Sequence, residues 1–164
     1  MAQRGKKSAS SKIDDNTKVL NRVVPGIMLI GIAGIGFVLL FALDSGVLGE
    51  NMTRGLRLAF GLGGAGLYIL VAAAGITLMG GKKGEMFWRL SGLTLVWLGL
   101  EGVLHLGASA GLSFEEIMSL GRSGEGGGLL GAALAGWSVR AVGPTGAYLV
   151  FALLMVVGLL VAGR

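Results

Sequence analysis

Residues 146–163 read GAYLVFALLMVVGLLVAG, eighteen positions without one charged side chain. As a helix rising ~1.5 Å per residue, this run is ~27 Å long, close to the ~30 Å hydrocarbon core of a bilayer. Three further apolar runs of span length precede it, at about 23–43, 58–79 and 86–106. They predict an all-α membrane protein with four transmembrane helices, plus short interfacial helices in the last outer loop. Composition agrees: 53% of the 164 residues are hydrophobic and 14% charged, against roughly 25% charged in soluble domains. Four spans of ~20 residues use about half the chain and leave a tail and short loops, with no room for a catalytic domain. Glycine occupies 32 positions without a collagen-like triplet, and Pro only 2, which excludes a fibrous or low-complexity chain. The absence of cysteine excludes disulfides, thiol redox chemistry and cysteine-based metal sites.

Charge predicts the topology. Arg4, Lys6, Lys7, Lys12, Lys18 and Arg22 face only Asp14 and Asp15 in residues 1–22. This stretch reads as a disordered basic cytoplasmic tail, ahead of a transmembrane domain at 23–164. Contact of the tail with anionic lipid or nucleic acid is the alternative. The connector after the second span carries Lys82, Lys83 and Arg89, and Arg164 follows the fourth span. In the 44–57 loop Arg54 and Arg57 are balanced by Asp44 and Glu50. In the 107–126 loop Arg122 is outweighed by Glu115, Glu116 and Glu125. The alternation places both termini inside. Lys6, Lys7, Lys82, Lys83 and Arg89 are then candidates for topology signals and lipid-headgroup contact. Trp88, Trp137 and Tyr148 read as interface anchors, and Trp97 as a residue packed within the bundle.

The last outer loop predicts a helical hairpin at about 113–142. Ser113 and Glu116 have capping-box spacing, and Phe114, Ile117 and Met118 fall on one helical face. Residues 127–142 are apolar but only ~24 Å long as a helix, and contain Arg140. They read as a tilted or interfacial helix rather than a span. Gly143-Pro144-Thr145-Gly146 reads as a turn.

Chemistry-bearing motifs are sparse. There is no Walker loop, no His/Glu metal motif and no nucleophile elbow, so neither an enzyme activity nor a cofactor is expected of this chain. The glycine run Gly61-Leu62-Gly63-Gly64-Ala65-Gly66 superficially resembles a phosphate loop, but it lies inside a span with no strand before it. Close helix packing explains it better. Glu101 and His105 are four apart, on one face of the third span. Ionisable residues at that depth point to a proton relay, as in a small transporter or channel. The alternative is a pair near the outer end that hydrogen-bonds to itself and reaches the headgroups.

The sequence GGLLGAALA at 127–135, then VGPTGAYL at 142–149, then an apolar run to Gly163, resembles the N-terminal membrane domain of the FtsK/SpoIIIE DNA translocases. The likeness covers about 127–163 in residues and 23–106 in architecture. Members of that family often carry an Asp/Pro-rich stretch after the first helix, where this chain has Asp44-Ser45-Gly46-Val47. The resemblance implies a four-helix anchor in the bacterial inner membrane, at the division septum. It implies self-association and contacts with other cell-division membrane proteins. ATP and DNA binding would belong to a cytoplasmic motor absent from this chain, which ends at Arg164 where a linker would begin. A fragment of a longer translocase is therefore expected. Gly127, Gly128, Gly131, Gly143, Pro144 and Gly146 become the expected conformational determinants of the outer hairpin.

Overall fold

The computed structural model describes residues 3–41, 46–80 and 83–164. Six α-helices and no strands are present among them. These are α1 (Gln3–Phe41), α2 (Gly46–Phe60), α3 (Gly64–Met79), α4 (Lys83–Ala108), α5 (Phe114–Arg122) and α6 (Gly128–Ala162). A single 3-10 turn, Gly61–Gly63, joins α2 to α3. Among the described residues, four stretches are long and apolar enough to cross a membrane: Val19–Phe41, Gly49–Met79, Gly84–Ala108 and Gly128–Ala162. The chain is a multi-pass helical membrane protein.

Several boundaries differ from the sequence reading. The backbone of residues 3–22 continues α1, where a disordered tail is expected. No Gly or Pro lies between Lys6 and Val24, and a helix extended from an existing span needs no new nucleus. Residues 1 and 2, Lys82, and the side chains of Lys6, Lys7 and Lys83 lie outside the described part. Pro25 therefore sits inside a helix. The Asn21 carbonyl loses its usual N–H partner there, at a stretch where Asn21 and Arg22 are exposed. The expected 44–57 loop is largely α2. Gly49 is buried and Thr53 and Leu56 half-buried, at i, i+4 and i+7 on one face, while Glu50, Arg54 and Arg57 point outward. Residues 44 and 45 of that loop are outside the described part.

Helix α5 packs against α6. Ser113 caps α5: the Glu116 N–H donates to Ser113 Oγ at 3.4 Å, and the Ser113 N–H donates to Glu116 Oε2 at 2.7 Å. Ile117 and Gly121 turn inward, the latter against Gly128 and Ala132 of α6. Residues 128–142 run into 144–162 across a single non-helical residue, Gly143 (φ 75°, ψ 172°). That conformation is open to glycine and strained for other residues, and Pro144 supplies no N–H to bridge the break. The predicted turn is thus a sharp break between two helical halves of α6.

In the membrane, lipid is as apolar as leucine, so helices associate through close packing and polar ties rather than through apolar burial. The most extensive pairings are α4 with α6 and α1 with α3, and α3 against α4 is thinner. Each main pair crosses at glycines. A Cβ on Gly75 would lie 2.6 Å from the Gly26 carbonyl oxygen, and one on Gly158 would lie 2.7 Å from that of Gly92. Residues 46–63 and 109–128 collect at one end, here the cap end. Gly80, residues 83–85 and Arg164 mark the opposite, connector end.

Candidate functional site

Two turns from distant parts of the sequence interlock at the cap end and close over α4. The first is Gly61–Gly63, between α2 and α3. The second is residues 124–128, between α5 and α6. The Leu62 N–H donates to the Gly126 carbonyl at 2.8 Å. Their backbones touch so closely that a Cβ on Gly128 would lie 2.5 Å from the Gly61 nitrogen and 2.7 Å from that of Phe60. Gly61 and Gly128 both adopt positive φ, 52° and 58°. Only glycine meets both requirements without strain.

Glu101 and His105 project from α4 beneath these turns, and both are 0% exposed. The sequence expectation that they bond each other near the headgroups is not met. His105 is held from two other elements. The Gly127 N–H donates to Nδ1 at 3.3 Å, so Nε2 carries the proton and donates to the Ile117 carbonyl at 3.1 Å. His105 thereby ties the 124–128 turn and α5 to α4. Ser109, one turn further, donates its hydroxyl to the His105 carbonyl at 2.7 Å.

Glu101 has no such partners. Both carboxyl oxygens are buried without a hydrogen bond among the described residues. A Cβ on Gly63 would collide with the carboxyl group, and one on Gly127 would sit 2.9 Å from Oε2 and 2.5 Å from the Glu101 carbonyl oxygen. Gly131 stands 3.0 Å, by the same measure, from that carbonyl and from His105 Cβ. The nearby indole N–H of Trp97 donates to the Gly63 carbonyl at 3.1 Å. An unpartnered buried carboxyl is costly, so this packing is a strong constraint on what Glu101 does.

The expected determinants separate into two groups. Gly127 and Gly131 line Glu101 and His105, and Gly128 packs on the Gly61–Gly63 turn. Gly143, Pro144 and Gly146 form the break in α6 instead. Pro144 and Tyr148 there line a cavity of about 310 Å³, shared with Leu106, Ser109 and Ile117. Gly63 lies against Glu101, Gly126 against His105 and Gly61 against the 126–128 backbone, and none of the three has a site role in the sequence reading. The density of glycine at 61–66 was the signal, and its partner turn could not be read from spacing. At the connector end Arg89 pairs with Glu85 at 3.6 Å, both partly exposed. Trp88, Trp137 and Tyr148 are exposed, and Trp137 stacks edge-on against Phe114 at 6.2 Å. The Arg140 guanidinium lies over the Phe114 ring, 5.6 Å from its centre. Among the described residues no group of three His, Cys, Asp or Glu could hold a metal.

The fold and this site define a four-span helical membrane protein whose cap is built from backbone contacts. No family model matches the chain, and neither a curated protein nor a solved structure matches it.

Proposed function

We propose that this chain is the membrane anchor and septal-targeting, self-associating domain of a DNA translocase of the FtsK/SpoIIIE type, acting in chromosome segregation and cell division. The observation that carries the reading is the break at Gly143-Pro144, just ahead of the uncharged run 146–163. That is the position where the resembling sequence places its Gly-x-x-Gly-Ala turn. The glycine-rich segment before it builds the cap, which fits a module whose work is shape and contact. In this reading the cap end faces outward, both termini are cytoplasmic, and division proteins dock on the cap. An anchor of this kind acts through effective concentration: holding motors side by side in a membrane favours ring assembly. DNA and ATP would be handled by the motor alone.

The test is localisation. The chain fused to a fluorescent protein, expressed in its native cells at its native level, is expected to gather at the division site. Uniform distribution around the membrane through the whole cell cycle would remove septal targeting from the account. A transporter built on Glu101 and His105 gains less support, because His105 is fully engaged in tying backbone segments together.

A further inference from the structure

We infer that Glu101 is a proton-binding site that latches the cap: with the proton bound the two glycine turns close over the carboxyl group, and with the proton released they part. This goes beyond the anchor reading and is independent of which partner the anchor recruits. The geometry supplies the argument. The carboxyl group is 0% exposed and walled by backbone at Gly63 and Gly127. Among the described residues no N–H or O–H donates to either oxygen. As the acid, the group is neutral and can stay under the turns. As the anion, it faces neither donor nor counter-charge, and burying it unpaired in a medium of low dielectric constant is prohibitive.

The ionisable groups around it do not rescue the anion. On α4 itself, His105 has both ring nitrogens engaged by Gly127 and Ile117. The Gly61–Gly63 turn and residues 126–131 carry no charge. Arg57 and Glu125 flank the two turns, and both are exposed to solvent. A metal cation fits poorly, since it needs several oxygen ligands at about 2.0–2.6 Å and glycine backbone already fills the space against the carboxyl. The reaction is a simple dissociation, carboxylic acid to carboxylate with the proton passing to water at the cap end, and needs no co-reactant. Relief comes by separating the turns, whose mutual hydrogen bond is Leu62 N–H to the Gly126 carbonyl. Water then reaches the carboxylate, and the faces of α2 and α5 that met there become available.

The experiment is hydrogen–deuterium exchange of the full chain in lipid nanodiscs, read by mass spectrometry and normalised at each pH to an unstructured reference peptide. Protection of residues 58–66 and 122–131 is expected to fall about tenfold or more between about pH 5.5 and about pH 8.5, while residues 148–158 stay unchanged. In Glu101→Gln, both segments are expected to stay protected at both pH values. Protection independent of pH in the unaltered chain, or the same loss in Glu101→Gln, overturns the latch.

Discussion

Helices α1 and α3 meet where Gly26 faces Gly75, and α4 and α6 meet where Gly92 faces Gly158. Toward the connector end the two pairs use the same device. Toward the cap end they diverge. The outer faces of α1 present Ile27, Ile32, Ile35 and Val38 to lipid, and Gly31 and Gly34 have open space beside them. The α4 and α6 pair instead gathers buried Glu101, His105, Ser109, Ala132 and Ala135 beneath two interlocked turns. The difference shows where a membrane protein stores its specificity. Apolar side chains facing lipid discriminate little between arrangements, whereas backbone contact and polar ties select one.

The sharpest way to break this contrast is at Gly128. Gly128→Ala places a Cβ against the Gly61 and Phe60 nitrogens at positive φ. It should cost about 3 kcal/mol or more in reversible unfolding from lipid–detergent micelles. Gly31→Ala, on the open face of α1, should change stability by less than about 1 kcal/mol. Equal losses would show that the cap is no more tightly specified than the lipid face.

Removing the His105 tie comes next. His105→Ala leaves the Gly127 N–H without its acceptor, removes the donor that ties α4 to the Ile117 carbonyl and opens a void, for a loss of about 2–4 kcal/mol. In the same unfolding assay Ile35→Ala, a lipid-facing truncation, should lose far less. A smaller step is Trp97→Phe, which deletes the donor to the Gly63 carbonyl and should lower stability by about 1 kcal/mol. An unchanged midpoint would mean that the Gly61–Gly63 turn holds without that bond.

The smallest expected effect lies outside the spans, at the α5 cap. The Ser113 backbone N–H, then its hydroxyl, hold the Glu116 carboxyl below its ordinary value. A depressed carboxyl contributes stability that is complete above its unfolded value and is lost as pH falls through its folded value. Exchange protection of residues 114–118 should therefore weaken on acidification below the ordinary carboxylate range. Glu116→Gln should flatten that dependence.

Some of this structure was legible in the sequence, for physical reasons. Span-length apolar runs announce themselves because nothing else tolerates eighteen uncharged positions such as 146–163. The Ser113–Glu116 box is local chemistry, and so is the break at Gly143-Pro144. Helix α2 was missed because Gly46, Gly49 and Gly55 among charged residues read as a loop. The Gly49, Thr53 and Leu56 face becomes decisive only when a surface exists for it to cover. Glu101 and His105 were placed correctly on one face of α4. Their surroundings were not, since the groups around them are mainly main-chain atoms of turns some 20 to 40 positions away in sequence, and backbone contacts leave no pattern in residue spacing.

The interlock of the two cap turns is the central claim, and a cysteine-free chain allows a clean test. Gly124 lies against the Arg57 backbone, with a Cβ on it falling 2.9 Å from the Arg57 carbonyl oxygen. The doubly substituted chain carrying Arg57→Cys and Ser123→Cys, both exposed positions, should cross-link within one chain in bilayers under mild oxidation or with a short bis-thiol reagent. Near-complete cross-linking that Gly128→Ala abolishes is the predicted result. A folded chain in which the two thiols fail to cross-link would contradict the account.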